Sequence, residues 1–187
     1  MKVNKTILGT FALLVAVSAL YRIIPGRHPG FAPQWAVALF AGAVIKDKKW
    51  ALIIPILSLF ISDMLYQVLY FYKLSDIQGF YQGQWINYLL FGSVTFFGFF
   101  IRRPTAGNVL MLSLLAPTYF FLLSNLLTWA GVGEFVQYPK TLAGLIACYG
   151  SGVLFYKYSL IATVFFSAIL FGTYWMLKRR ISKPATA

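Results

Sequence analysis

Asp63 is the one acidic side chain inside the long apolar stretches of this 187-residue chain. A charged group at the centre of a membrane costs at least about 2.5 kcal/mol unless it is paired or hydrated. On a helix its neighbours three, four and seven positions on are Tyr66, Gln67 and Tyr70. A polar and aromatic stripe therefore runs along one helix face and should point into protein. Arg22, in the last turn of the first apolar stretch, is the expected partner of Asp63. A purely structural ion pair and a ligand-binding role are both compatible with that pairing.

A second polar face is formed by Thr118, Asn125 and Thr128, with Trp129 beside them and Tyr138 just beyond. Buried amides and hydroxyls glue helices together at about 0.6 kcal/mol each, so packing accounts for them without any function. The alternative is that Asn125 and Trp129 give a hydrogen bond and a stacking surface to a pocket, since ligand pockets are mostly apolar with a few placed polar groups. The loop RIIPGRHPGFAPQW, Arg22 to Trp35, concentrates Arg22, Arg27 and His28 among turn residues. Its arginines could hold a carboxylate or phosphate through paired N–H groups; snorkelling to lipid headgroups is the ordinary alternative. His28 by itself reads as a solvated loop residue.

Catalysis finds little support. Tyr149-Gly150-Ser151-Gly152 resembles the Gly-x-Ser-Gly of intramembrane serine proteases, but tyrosine stands in the first glycine's place and no histidine follows. Asp63 has no second acid within a span, and one cysteine (Cys148) with one histidine builds neither a disulfide nor a zinc cage. No enzyme, cofactor or metal is expected.

The elements that must position these residues follow from composition. Sixty per cent of the residues are hydrophobic and 11% charged, where a soluble domain carries about a quarter. Apolar stretches fall at residues 6–24, 33–45, 50–72, 85–101, 108–129 and 158–177. The reading is an all-α integral membrane protein, a single membrane domain over residues 1–187 with six transmembrane helices. The second stretch gives only about 20 Å of helix, so it belongs where the bilayer is thin or where protein surrounds it. Pro55 lies near the start of the third and Pro117 interrupts the fifth. Thr141 to Tyr156 is apolar enough for a further crossing but reads better as an outer re-entrant or interfacial helix before the last span.

Charge supports that count. With both termini cytoplasmic, the inner side holds eleven basic residues: Lys2, Lys5, Lys46, Lys48, Lys49, Arg102, Arg103, Lys178, Arg179, Arg180 and Lys183. The outer side holds five, Arg22, Arg27, Lys73, Lys140 and Lys157, the asymmetry expected of an inner-membrane protein. The net charge of +12 is thus spent at span ends, and no nucleic-acid partner is expected. Met1 to Ala19 has features of a cleavable signal, but the apolar run continues to Ile24 and reads as an anchor.

The stretches RIIPGRHPGFAPQWAVALFAG, PILSLFISD, FFLLSNLLTW and YPKTLAGL, with six helices and a short second one, resemble the substrate-capture components of energy-coupling-factor transporters. The resemblance is closer still to a related bacterial family of uncharacterised putative transport membrane proteins. It implies capture of a small molecule from the outer side, and energy from a separate ATPase pair through a transmembrane coupling subunit. The chain itself has no phosphate-binding loop of the Walker A type. It also implies that Ala12 and Ala16, small residues one helical turn apart, form the face that docks on the coupling subunit. The substrate-binding residues expected on all these grounds are Arg22, Arg27, Asp63, Gln67, Tyr70, Asn125, Trp129 and Tyr138. A self-sufficient secondary transporter, or a structural membrane protein without ligand, is the alternative.

Overall fold

A computed structural model describes residues 5–101, 104–132 and 137–181. Lys2, Arg102, Arg103 and Lys183, and the side chains of Lys5, Arg179 and Arg180, lie outside what is described. Six helices and no strand occur among the described residues: α1 (Lys5–Arg22), α2 (Gln34–Val44), α3 (Lys48–Phe71), α4 (Gln84–Phe99), α5 (Ala106–Ala130) and α6 (Leu142–Ile181).

The first five helices begin and end within two residues of the first five apolar stretches. Punctuation is local: Asp47 accepts a hydrogen bond from the Lys49 amide to start α3, and Thr105 accepts from the Asn108 amide to start α5. Pro55 and Pro117 lie inside helices and are fully buried. Pro117 therefore does not interrupt α5, which runs on to Ala130; a membrane helix tolerates such a proline where neighbouring helices pack against it.

The end of the chain differs from expectation. Thr141 to Tyr156 is not a separate outer helix, because α6 runs unbroken for 40 residues, about 60 Å. No proline stands between Leu142 and Ile181 to stop it, and its first half has a packing partner in the C-terminal half of α5. The Tyr156 ring stacks on Phe121 at 4.5 Å between centroids, Tyr149 Oη donates to the Leu122 carbonyl at 2.7 Å, and Gly152 seats against the Asn125 side chain.

The short α2 is the hub. It packs against each of the other five helices, and Ala36, Val37, Ala38 and Leu39 are at most 2% exposed. Being only about 16 Å long, it can fill just part of the bundle's depth. Trp35, Leu39, Phe91, Val94, Ala116 and Phe171 form the core on one side of it, and Val15, Val37, Ala51 and Ile54 on the other. The α2–α4 crossing depends on Gly42 and Gly98: a Cβ on Gly98 would sit 2.4 Å from the Leu39 carbonyl oxygen and 2.8 Å from the Gly42 Cα. Gly98→Ala must push the two helices apart and is expected to cost about 1–3 kcal/mol, the usual range for overpacking. A thermal unfolding midpoint in detergent that matches wild type would show that the crossing is looser than this.

Helices α3, α5 and α6 have the length and apolar composition to cross a membrane. Large apolar side chains such as Leu57, Met64, Leu115, Leu122, Leu154 and Phe165 are exposed. Such faces indicate membrane association, where lipid rather than water covers them.

Candidate functional site

Because α2 stops short, a space is left above its first turn. A cavity of about 820 Å³ lies there, walled by the loop 23–33, the middle of α3, the loop 72–83 and the facing sides of α4, α5 and α6. Gln34, Trp35, Phe91, Phe120 and Phe155 line it together with Arg22, Arg27, Asp63, Tyr66, Tyr81, Gln84 and Asn87. The volume is within the range of small-molecule sites, roughly 300–1,000 Å³.

Asp63 anchors one wall. It is 3% exposed, and both carboxylate oxygens are occupied. Arg22 Nη1 donates to Oδ1, while Gln84 Nε2 and Tyr88 Oη each donate to Oδ2 at 2.6 Å. The same Arg22 nitrogen also donates to Ser62 Oγ at 2.6 Å. The expected Asp63–Arg22 pair is thus formed, and among the described residues it is the one ion pair. Gln84 and Tyr88 complete the cage, one turn apart on α4. Their spacing in QWINY is legible in the sequence, but nothing there marks α4 as the partner of Asp63.

Arg27 is held differently. Its Nε donates to the Arg22 carbonyl at 3.2 Å, and its Nη1 donates to the carbonyls of His28 and Phe31 at 3.1 and 2.9 Å. Its Nη2 lies 3.4 Å from Tyr66 Oη, and Tyr66 Oη itself donates to the Arg22 carbonyl. These bonds knit the loop 23–33 onto the ends of α1 and α3. The far side of the loop rests on α6: the His28 ring stacks on Tyr158 at 4.2 Å with 3° between planes, and Ser159 Oγ donates to the Gly30 carbonyl. Gly30 has φ +85°, and a Cβ there would lie 2.3 Å from the Phe155 carbonyl oxygen. Both facts require glycine. Gly30→Ala is therefore expected to lift the loop off α6 and to speed trypsin cleavage after Arg27 several-fold in the detergent-solubilised protein. An unchanged cleavage rate would show that the loop is not held at this point.

The remaining expected residues divide. Gln67 and Tyr70 do not reach the cavity; Gln67 Oε1 accepts from the Phe80 amide at 3.0 Å, and Tyr70 is exposed. Asn125, Thr128 and Tyr138 line a second, smaller space of about 450 Å³ between α4, α5 and α6. Trp129 lines neither: its Nε1 donates to the Pro139 carbonyl at 2.9 Å. The two polar stripes therefore do not converge on one pocket. The loop 72–83 folds down between them, with Gly79 so close to α3 that a Cβ would lie 2.0 Å from the Asp63 carbonyl oxygen. Tyr81 of this loop and Asn87 of α4 are hydrogen-bonded to each other and line both spaces. Burial raises the pKa of the Tyr81 phenol above the ordinary value, which keeps it a neutral hydrogen-bonding group at physiological pH.

Sequence reasoning missed Gln34, Trp35, Phe120 and Phe155 as lining. Gln34 and Trp35 close the first loop segment, Phe120 falls within the fifth apolar stretch and Phe155 within Thr141 to Tyr156, and only the shortness of α2 hinted that its first turn would face a cavity. Ala12 and Ala16 are exposed on α1 and border a shallow apolar groove shared with Trp50, Ile53 and Leu57 of the α1–α3 face.

The described residues form an all-helical bundle with a short buried central helix and a cavity lined by polar and aromatic side chains. The chain belongs to a family of unknown function, DUF6580, matched over residues 2–185. No curated protein and no solved structure matches it.

Proposed function

We propose that this protein captures a small molecule from the outer side of the cell membrane and delivers it through a separate energised module, in the manner of the energy-coupling-factor substrate-capture components. The observation that carries the reading is the cavity above α2, which brings aromatic walls, an anchored arginine and amide groups together beneath a loop docked at two points. Closing loops of this kind commonly sequester ligands. No catalytic step is part of the reading.

In this reading all six helices cross the membrane, both termini and the Lys46–Lys49 loop are cytoplasmic, and the cavity opens outward. Single cysteines at Lys48 and Gln82, in a background lacking Cys148, should then label from opposite sides of sealed vesicles. Labelling from one side would overturn the orientation. The exposed small-residue face at Ala12 and Ala16, beside the α1–α3 groove, is the surface offered to a transmembrane coupling subunit with its ATPase pair. Close helix approach over small residues is the usual means of such docking.

A structural role for Asp63 itself is favoured by a specific observation: both of its carboxylate oxygens are hydrogen-bonded to protein donors, Arg22, Gln84 and Tyr88. Asp63 acts by holding Arg22 in place, and ligand contact falls to its neighbours. Native mass spectrometry of the gently extracted protein tests the proposal. A retained small molecule, released on mild heating, supports capture. A bare chain from several expression media, with no stabilising additive found among small metabolites, would favour a protein without ligand.

A further inference from the structure

We infer that the cavity above α2 is built for an aromatic carboxylate whose ring system carries an N–H or O–H donor. This rests on the capture reading and names the chemistry of its ligand.

Three observations converge. The first is the state of the two arginines. Arg22 is fixed through Nη1 alone, to Asp63 and Ser62, and its Nε and Nη2 make no hydrogen bond among the described residues. That leaves one edge of the guanidinium open, the edge that grips two oxygens in parallel. Arg27 is bonded to backbone carbonyls and Tyr66 but to no carboxylate. Two guanidinium charges thus face one buried carboxylate, since Asp76, also at the cavity, is exposed on the loop at its rim. Arg22 and Arg27 are both part-exposed, so one positive charge is left over at the edge of the cavity, which suits a monoanion.

The second is an acceptor without a donor. Gln34, in the first turn of α2, is 4% exposed and lines the cavity. Its Nε2 donates to the Ser18 carbonyl at 3.0 Å, which fixes the amide's orientation, and its Oε1 has no hydrogen-bond partner. A buried acceptor left unmet is costly, and a ligand donor would remove the cost. The third is the wall between these polar groups. Trp35 packs with Phe91 and Phe120 at centroid separations of 4.8 and 4.4 Å, and with Phe155 all four rings line the cavity. Rings stack or meet edge to face with planar partners.

Four matched probes separate these demands on the full-length wild-type protein, held in phosphatidylcholine nanodiscs, whose lipid carries no carboxylate. Indole-3-acetate has both the charge and the donor, 1-methylindole-3-acetate lacks the N–H, indole-3-acetamide lacks the charge, and tryptamine reverses it. Isothermal titration calorimetry should give indole-3-acetate at least about tenfold tighter binding than the methylated probe and the amide, with tryptamine weakest. Gln34→Leu should abolish the advantage over the methylated probe while leaving the preference for charge. Equal or tighter binding of the amide or tryptamine would overturn the anion assignment and leave capture standing. Silence from all four up to about 1 mM would overturn the ligand class. A retained molecule in native mass spectrometry would then keep the capture reading, and its absence would end both.

Discussion

Asp63→Leu should lower the stability of the protein by about 3–5 kcal/mol, the usual consequence of removing one member of a buried pair and stranding the other's charge. Three donors each lose a hydrogen bond at once: Arg22 Nη1, Gln84 Nε2 and Tyr88 Oη. The loss should spread to the loop 72–83, since Gln84 Nε2 also donates to the Gly79 carbonyl at 2.9 Å and so couples that loop to the carboxylate. A second substitution distinguishes structure from ligand contact. Replacing both partners, Asp63→Leu with Arg22→Met, removes the stranded charge and should recover most of the lost stability, because paired ions often exchange for apolar groups at little cost. The double variant should nevertheless fail to retain a ligand, having lost the open guanidinium edge. Unfolding midpoints in detergent report the first effect, and ligand retention the second. Wild-type stability in the single variant would mean that Asp63 faces water or headgroups.

Trp35→Ala should cost about as much, roughly 3–5 kcal/mol, for a different reason. The indole is 6% exposed and is held between Phe91 and Phe120 at the first turn of α2. Its removal leaves a void where the hub helix meets α4 and α5, continuous with the cavity above. Trp50→Ala is the matched control: Trp50 is 42% exposed on the α1–α3 face, so its truncation should shift the midpoint little. Equal losses for both would show that membrane-facing contacts, and not the packing around α2, dominate stability.

The sequence made much of the helical framework legible, since a long apolar stretch bounded by Pro, Gly or basic residues leaves few options in lipid. It also exposed the Arg22–Asp63 pair, because a lone acid in such a stretch demands a partner and Arg22 stands at the matching end of its helix. The length of α2 left either a thin bilayer or a protein-lined position open, and its contacts with all five other helices decide for the second. Continuity was not legible: apolarity from Thr141 to Leu177 measures hydrophobic length, and whether it forms one helix or two depends on the contacts of Tyr149, Gly152 and Tyr156 with α5. Nor was the fold of the loop 72–83, whose polar residues look like ordinary solvated connections. Only the close approach of Gly79 to α3 and the bonds of Gln67 and Gln84 bring it down as a partition. That partition is why Asn125 and Thr128 line a different space from Arg22 and Arg27.

The central claim is that the space above α2 holds a small molecule, and the most direct measurement is an experimental structure of the full chain extracted from its own membranes. The account predicts density for a compact molecule between Trp35, Phe120 and Phe155, with one end at the Arg22 edge and the other within hydrogen-bond reach of Gln34. Side chains of α2, α4 and α6 interlocked with no space between them, or a lipid acyl chain running through that space, would contradict it.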